Sequence, residues 1–250
     1  MTKIILSGCG GSMGKAVTAC VTGEKDCEIV AGIDLNTAVE AAYPVFQSAE
    51  AVDVEANVLI DFSNPSLLPS LLSFGEKKKI PLVLCTTGYS KDQVDAISKA
   101  SEQIPVFYSG NMSLGVNLLI ELAKKAAKVL GDSFDIEIIE KHHNHKIDAP
   151  SGTALMIADG VSSALNEEMH YVYDRHSQRK PREKTEIGIH SIRGGTIVGE
   201  HDVIFAGPQE VLTISHSAQS RDIFALGAIH AAAFLARKAK GLYNMSDLLN

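Results

Sequence analysis

Residues 140–154 contain the residue types that this sequence would need for chemistry. Three histidines and two lysines lie between Lys141 and Lys146, and imidazole is the side chain best suited to donate a proton near neutral pH. Ser151-Gly152-Thr153 then opens a predicted helix, whose first backbone N–H groups can hold an anion. Together these features predict a site for a carboxylate-bearing substrate that must be protonated. The alternative is a basic surface loop in which Ser151 caps the helix.

A metal centre is a second hypothesis for the same segment. His143 and His145 have the spacing of neighbours on one face of a strand, and Asp148 offers a third ligand. However, the chain has no His-Glu-x-x-His motif and no distant Cys/His pair, and the adjacent lysines would repel a cation. The residue types therefore favour a site without metal.

A glycine-rich turn near residue 10 predicts another site. Gly8, Gly11 and Gly14 recur at every third position between an apolar strand and a helix, which lets the backbone turn tightly and approach a pyrophosphate. The next predicted strand ends at Asp34, about 20 residues after Gly14, where an acid meets the ribose hydroxyls of adenosine. This order predicts a dinucleotide-binding site, and the alternative is a glycine-rich turn with no ligand.

Other residues carry weaker signals. Thr86-Thr87-Gly88 follows a strand at the edge where parallel sheets bind ligands, but the triplet also makes an ordinary turn. Asn111 and Ser113 precede a helix and are suited to capping it, whereas Met13 and Met112 are typical of packing. The alternating region of the second half also contains charged residues and histidines, which we interpret as part of a solvated face or a subunit contact. They are Arg193, Glu200, His201, His216 and Arg221.

The elements that must position these residues change character along the chain. Strands alternate with helices in the first half, which is typical of a parallel sheet covered on both faces. Beyond about residue 113, a helix is followed by strands with period-two alternation, which favours a half-exposed sheet. The polar segment 166–184 is interpreted as a loop or flap. Predicted strands are 4–6, 28–33, 57–62, 81–85, 106–108, 134–138 and parts of 186–192, 196–205 and 210–216, and predicted helices are 13–21, 66–79, 91–102, 115–130 and 225–238.

Composition restricts the possible functions and location. The chain has 250 residues, of which 45% are hydrophobic and 21% charged, as in folded globular proteins. Its formal net charge of −7 argues against a general nucleic-acid binder or a polybasic membrane partner. The apolar run 4–6 is too short for a signal peptide or a membrane span, and the four cysteines lack the pattern of a disulfide scaffold. We therefore expect a cytoplasmic protein with no nucleic-acid or membrane partner.

Taken together, these motifs resemble those of the dihydrodipicolinate reductase (4-hydroxy-tetrahydrodipicolinate reductase) family of the lysine and diaminopimelate pathway. The most specific stretches are His142-His143, Lys146 and residues 148–153, together with Val198-Gly199-Glu200-His201. The resemblance extends nearly end to end. The other stretches that resemble the family are residues 8–14, Asp61-Phe62-Ser63, Thr86-Thr87-Gly88, residues 111–117, Ile192-Arg193-Gly194-Gly195 and Ser220-Arg221.

The resemblance implies an α/β fold with two domains. A Rossmann-like, doubly wound parallel dinucleotide-binding domain is expected over 1–113 and 218–250. An α+β substrate-binding domain with a mixed sheet is expected over 114–217, and its sheets would associate into a homotetramer. The implied reaction is NAD(P)H-dependent reduction of a cyclic imine dicarboxylate, 4-hydroxy-tetrahydrodipicolinate, to tetrahydrodipicolinate.

The resemblance also implies roles for individual residues. His142 matches the general acid of the family and Lys146 its catalytic lysine. The implied substrate contacts are His143, Ser151, Gly152 and Thr153. The expected cofactor contacts are Gly8, Gly11, Ser12, Met13, Gly14, Asp34, Thr86, Thr87, Gly88, Asn111 and Met112.

Three positions depart from the family pattern. Many members carry basic residues where this chain has Ser12 and Leu35, and many have glycine in place of Cys85. Without a cation at 12 or 35 to receive a 2′-phosphate, we expect a preference for NADH, with NADPH still usable. Two rival hypotheses come from other classes: a non-catalytic dinucleotide-binding redox sensor and a metal-dependent hydrolase.

Overall fold

The computed structural model describes residues 1–249, which form two compact units. Unit 1 comprises Met1–Leu114 and the residues from Asp222 on, and unit 2 comprises Gly115–Arg221. Within residues 1–249 every helix is too short or too polar to cross a membrane. In chain order the elements are β1 (Thr2–Ser7), α1 (Ser12–Val21), β2 (Cys27–Ile33), β3 (Val45–Phe46), β4 (Val58–Asp61), α2 (Leu68–Lys78), β5 (Leu82–Leu84), α3 (Lys91–Ser101), β6 (Pro105–Tyr108), α4 (Leu114–Leu130), β7 (Asp135–His142), α5 (Gly152–Ser163), β8 (His170–Val172), β9 (Glu186–Arg193), β10 (Gly199–Ala206), β11 (Val211–Ala218), α6 (Asp222–Leu235), β12 (Gly241–Tyr243) and α7 (Met245–Leu249).

Unit 1 is built on a seven-stranded parallel sheet in the order β12-β6-β5-β4-β1-β2-β3. Successive residues of its central strands supply two separate cores. Ile4 and Leu6 pack with α1 and α6, whereas Ile5 and Leu59 pack with α2 and α3. Burial on both faces explains why these strands are continuous apolar runs. The doubly wound parallel sheet predicted from the sequence is confirmed, and its strand order reverses between β1 and β4, where such sheets bind ligands.

Unit 2 contains a five-stranded mixed sheet in the order β11-β10-β7-β9-β8. The central strand β7 pairs in parallel with β9 and antiparallel with β10. Helices α4 and α5 cover one face, where Ile138, Ile157 and Phe205 are fully buried. The predicted mixed sheet is therefore confirmed.

The prediction of a loop over 166–184 is wrong for part of that segment. Strand β8 lies within it and pairs in parallel with β9, with His170 opposite Glu186. The rest of this polar segment is held to the sheet by ion pairs, including one between Arg175 and Glu186 at 2.6 Å and one between Arg182 and Glu137 at 3.0 Å. A strand of three residues is too short to display alternation, so only its pairing with β9 reveals it.

Candidate active site

The glycine turn of unit 1 joins β1 to α1. Gly8 has φ +77°, and a Cβ atom there would lie 2.5 Å from the carbonyl oxygen of Phe62. A Cβ atom on Gly14 would overlap the carbonyl oxygen of Gly8. Gly11 forms the N-cap of α1 without any capping side chain, so the start of this helix is lined by backbone. These features fit a dinucleotide, because a pyrophosphate needs close backbone approach and helix N–H groups.

Asp34 follows β2 and is tied to this turn. Its Oδ2 accepts a hydrogen bond from the Gly10 N–H at 2.9 Å, and its Oδ1 accepts one from the Asn36 N–H at 3.0 Å. A carboxylate has about four acceptor positions. Asp34 therefore keeps acceptor capacity for hydroxyl groups while the backbone fixes its orientation.

A buried carboxylate that the sequence did not single out for a role, Asp61, joins the ends of β4 and β5. Asp61 is 0% exposed and accepts hydrogen bonds from the hydroxyls of Ser63 at 2.5 Å, Thr86 at 2.7 Å and Tyr89 at 3.3 Å. Burial, with a further contribution from the Asp61 charge, raises the pKa of Tyr89. The Thr86 side chain is thus engaged inside the unit, whereas Thr87 and Gly88 are exposed at the turn.

The remaining expected cofactor contacts differ in their exposure. Ser12 is exposed and Met13 is half-buried against the core. The Met112 side chain is 3% exposed and packs within the core of unit 1. Asn111 is buried, and its Oδ1 accepts a hydrogen bond from the Ser113 N–H at 2.8 Å just before α4.

In unit 2, Glu140 lies at the centre of a charged cluster. Its carboxylate is 0% exposed and receives both terminal nitrogens of Arg193 at 2.7 Å. Nδ1 of His142 lies 2.6 Å from its Oε2, and the Ser151 N–H donates to its Oε1 at 3.1 Å. Burial raises the pKa of Glu140, but hydrogen bonds from Arg193, Ser191 and His142 outweigh burial and bring the pKa to about 2. Glu140 is therefore a buried, ionised carboxylate.

Two further members of this cluster correct the sequence interpretation. His201 is 4% exposed, its Nε2 lies 3.0 Å from the Ser151 hydroxyl, and its ring centroid lies 5.3 Å from that of His142. Burial, followed by the nearby His142, lowers the pKa of His201 to about 4. The assignment of Arg193 and His201 to a solvated face or a subunit contact is wrong, because β9 and β10 flank β7. Their registers set Arg193 beside His142 and His201 beside Glu140.

The other three charged residues of that set lie outside the Glu140 cluster. Glu200 pairs with Lys141 at 3.0 Å, Arg221 is exposed, and His216 is half-buried with its pKa lowered by burial.

The basic loop begins where β7 ends, at His142. His143 and His145 therefore follow the strand instead of sharing one of its faces, although their ring centroids are 6.4 Å apart. The third candidate ligand, Asp148, pairs with Lys146 at 2.8 Å. Desolvation, together with the charge of Arg221, lowers the pKa of His143. Among the described residues no group of three or more His, Cys, Asp or Glu side chains is arranged to hold a metal ion.

Helix α5 starts beside this loop. Ser151 is its N-cap and accepts a hydrogen bond from the Ala154 N–H at 3.1 Å, so the capping role given as an alternative is real. The same hydroxyl contacts His201, which couples the helix start to β10. Space is open around Gly152, where an added Cβ atom would meet nothing within 4 Å.

The class of protein that these features define is a dinucleotide-dependent oxidoreductase, since unit 1 has the turn for the nucleotide and unit 2 offers proton donors near a helix start. Residues 2–112 match the family model for the N-terminus of dihydrodipicolinate reductase, and residues 115–249 match the model for its C-terminus. The chain belongs to the dihydrodipicolinate reductase family.

Individual relatives agree with this assignment. The chain is 53% identical over 249 residues to the 4-hydroxy-tetrahydrodipicolinate reductase of Caldanaerobacter subterraneus subsp. tengcongensis, covering 100% of this chain and 98% of the relative. It is 51% identical over 250 residues to the enzyme of the same name from Clostridium tetani, with the same coverage. The structure of a dihydrodipicolinate reductase from Paenisporosarcina sp. TG-14 with dipicolinate bound superposes with a TM-score of 0.82 at 24% identity, covering 98% of this chain and 97% of that one. This chain and that reductase therefore share a fold.

Proposed function

We propose that this chain reduces 4-hydroxy-tetrahydrodipicolinate to tetrahydrodipicolinate with NADH or NADPH, a step of lysine and diaminopimelate biosynthesis. Family membership and the names of relatives that are 53% and 51% identical support the proposal. The observation that carries it is the 2.6 Å contact between Nδ1 of His142 and the buried carboxylate of Glu140, next to the start of α5. This contact orients a proton donor beside an anion-binding helix end.

His142 is the proposed general acid. Reduction of a conjugated C=N/C=C system adds a hydride at one atom and a proton at another, so a donor must be held at the second position. The His142 side chain is 12% exposed, which shields it from bulk water. Its contact with the ionised carboxylate of Glu140 orients the ring from which a proton can be transferred.

Lys146 and the start of α5 are the proposed binding groups for the substrate's carboxylates. Lys146 pairs with Asp148, whose side chain is 60% exposed, and such an exposed pair contributes only about 0–1 kcal/mol. A substrate carboxylate can therefore replace Asp148 at little cost. The positive end of the α5 dipole and the open space around Gly152 favour the second carboxylate. The proposed contacts at this position are His143, Ser151, Gly152 and Thr153.

Unit 1 is the proposed site of the dinucleotide. The glycine turn is suited to the pyrophosphate and Asp34 to the adenosine ribose. When bound, the nicotinamide ring supplies the hydride. The other proposed contacts of unit 1 are Ser12, Met13, Thr86, Thr87, Gly88, Asn111 and Met112.

We also propose that the protein is a homotetramer that associates through the outer face of its five-stranded sheet. That face carries Ile139, Ile192 and Ile204, and Ile192 is 45% exposed. On the same face an ion pair joins Lys141 to Glu200, and Nε2 of His190 lies 2.8 Å from the carboxylate of Glu137. Apolar residues among paired charges are typical of subunit interfaces. The cytoplasmic location and the absence of nucleic-acid and membrane partners stay predictions.

A coupled assay tests the proposed reaction. Substrate is generated by the preceding synthase, and the purified protein is added with NADH or NADPH while the nicotinamide absorbance is followed. We expect oxidation of the nucleotide that depends on both the substrate and the protein. Tight nucleotide binding without turnover would instead support the redox sensor. Zinc in the purified protein, with activity abolished by a chelator, would support the hydrolase.

A further inference from the structure

We propose that Glu140 is a positioning residue that holds the proton of His142 on Nδ1 and so reserves Nε2 for proton transfer. This inference rests on the proposed role of His142 as the proton donor. Its starting point is the contact between β7 residues on one face of the sheet, where Oε2 of Glu140 lies 2.6 Å from Nδ1 of His142.

The charge state of Glu140 determines which ring nitrogen carries the proton. An ionised carboxylate only accepts hydrogen bonds, so the ring nitrogen facing it must be the donor. The bidentate contact with Arg193 keeps the carboxylate ionised and leaves it no rotational freedom. Nδ1 of His142 is therefore protonated in both the neutral and the cationic ring, and Nε2 is the nitrogen that gains and loses the proton.

The surroundings of Nε2 are consistent with this role. A Cβ atom at Gly199 of β10 would lie 3.1 Å from Nε2, so glycine leaves this nitrogen unobstructed. On the same face of β10 lies His201, whose ring meets that of His142 edge-on. Glu200 and Asp202 of β10 lie on the opposite face, where both pair with Lys141. Because the pKa of His201 is about 4, that ring is neutral near pH 7 and does not repel a proton on His142.

The remaining charged groups near His142 come from β9 and the basic loop. Arg193 of β9 reaches His142 through the carboxylate that both side chains share. His143, His145 and Lys146 follow in the loop. Lys146 pairs with the loop's own Asp148, so Glu140 is the carboxylate that contacts His142.

A merely structural role for Glu140 makes different predictions. Its carboxylate also receives the Ser151 N–H, and Arg193 donates to the carbonyl oxygen of Asp148 at 2.7 Å. Loss of these contacts would lower stability and loosen the loop. It would not change which nitrogen of His142 carries the proton, nor would it move a pH profile.

The first experiment compares Glu140→Gln with the unmodified enzyme. The amide preserves the shape but removes the negative charge that stabilises the cationic ring. Because a general acid works in its protonated form, activity falls on the alkaline side of the profile as His142 loses its proton. We expect this alkaline limb in kcat/KM to move down by about one pH unit or more in Glu140→Gln. Glu140→Asp, which retains the charge, should restore the position of the limb even if kcat stays low.

A control for the loss of a carboxylate lies in unit 1. Oε1 of Glu24 lies 4.0 Å from Nε2 of His230, so Glu24→Gln removes a carboxylate beside a histidine that belongs to neither the Glu140 cluster nor the proposed subunit interface. Its pH profile should match that of the unmodified enzyme. An unmoved alkaline limb in Glu140→Gln, or an equal displacement in Glu24→Gln, would overturn the proposal.

A spectroscopic measurement needs neither turnover nor a folded Glu140 variant. With ¹⁵N-labelled histidine, solid-state NMR distinguishes protonated from unprotonated ring nitrogens, and His142→Gln identifies the signals of His142 by their disappearance. We expect Nδ1 to be protonated across the pH range and Nε2 to titrate. The opposite assignment would overturn the inference. If His142→Gln instead retains full turnover, the proposed proton donor is wrong, whichever tautomer NMR finds.

Discussion

The hydroxyl of Ser151 lies 3.0 Å from Nε2 of His201, although the two residues are 50 positions apart in the sequence. Both side chains are almost fully buried, at 2% and 4% exposure. The contact joins the N-cap of α5 to β10, and so fixes the start of the helix relative to the sheet that carries Glu140 and His142. The protonation state of His201 therefore matters for the stability of the whole cluster.

We expect the free energy of unfolding to decrease as the pH falls from about 6.5 to about 4. Burial lowers the pKa of His201 to about 4, whereas an unfolded histidine titrates near 6.5. The unfolded chain therefore binds a proton that the folded chain excludes, and stability is lost as the pH falls. The difference corresponds to roughly 3 kcal/mol. Chemical denaturation across this interval measures the effect.

His201→Gln isolates the contribution of this residue. Glutamine can still contact the Ser151 hydroxyl but does not titrate, so the pH dependence between about 6.5 and 4 should become flatter. His230, which is 44% exposed on α6, provides the control, and His230→Gln should leave the slope unchanged. An unchanged slope in His201→Gln would assign the pH dependence to other groups.

How much of the site can be predicted depends on the sequence distance between its parts. The glycine turn, the following helix and Asp34 belong to one β-α-β segment, and periodicity with glycine spacing was enough to predict them. The basic loop and the start of α5 are similarly local. The positions of His142 and of the start of α5 could therefore be predicted from the sequence, and the roles proposed for them stay predictions.

Contacts between strands that are far apart in the sequence could not be predicted in this way. Arg193 meets Glu140 across 53 residues, and the contact exists only because β9 lies beside β7 in one particular register. The hydrogen bond from Thr86 to Asp61 spans 25 residues and needs the order of β4 and β5. A charged residue in an alternating strand has the same local pattern whether it faces water or a buried partner. Its partner is decided by strand order, which one sequence does not contain.

Replacing His142 by glutamine should lower kcat by roughly 10²–10⁴, the usual contribution of a positioned general acid. The glutamine side chain can occupy the place next to Glu140, but it cannot transfer a proton. Dinucleotide affinity, measured by fluorescence titration, should be unchanged. His145→Gln is the control, since this neighbouring histidine is exposed on the loop. Near-normal turnover in His142→Gln would remove this residue from the mechanism.

Replacing Lys146 by alanine should raise KM and lower kcat together. The ammonium group is the proposed partner of a substrate carboxylate, and such charge-assisted contacts contribute about 1.5–3 kcal/mol each, or roughly 10- to 100-fold. Lys128→Ala, on the exposed side of α4, should have no effect. Pyridine-2,6-dicarboxylate, a planar mimic of the substrate, should compete with it. Failure of this compound to inhibit at millimolar concentration would contradict a dicarboxylate site.

Replacing Asp61 by asparagine should destabilise the chain by about 1–3 kcal/mol, because an amide cannot accept all the hydrogen bonds that this buried carboxylate receives. The hydroxyls of Ser63, Thr86 and Tyr89 all donate to it. The turn after β5 should then loosen and dinucleotide affinity should fall. Thermal unfolding and nucleotide titration measure the two effects. Asp53→Asn, at an exposed position of the same unit, should change neither. Unaltered stability in Asp61→Asn would show that the network contributes little.

The choice between NADH and NADPH should depend on Asp34. Its carboxylate is held by the N–H groups of Gly10 and Asn36, and its free acceptor positions are suited to the two ribose hydroxyls of NADH. A 2′-phosphate at this position would set negative charge against negative charge. Ser12 and Leu35 carry no charge, so neither supplies a cation that would relieve the discrimination against NADPH. We expect kcat/KM to favour NADH about tenfold, equivalent to roughly 1.4 kcal/mol.

Leu35→Arg tests this account. Leu35 is 74% exposed beside Asp34, so an arginine there can reach a 2′-phosphate without disturbing the core. The variant should narrow or reverse the preference, mainly by lowering KM for NADPH. Leu35→Gln, which adds polarity without charge, should leave the preference unchanged and so separates charge from size. The comparison is made at low ionic strength, where the charge–phosphate attraction is least screened. Equal or better efficiency with NADPH in the unmodified enzyme would mean that another cation, with the exposed Lys15 of α1 as the first candidate, reaches the phosphate.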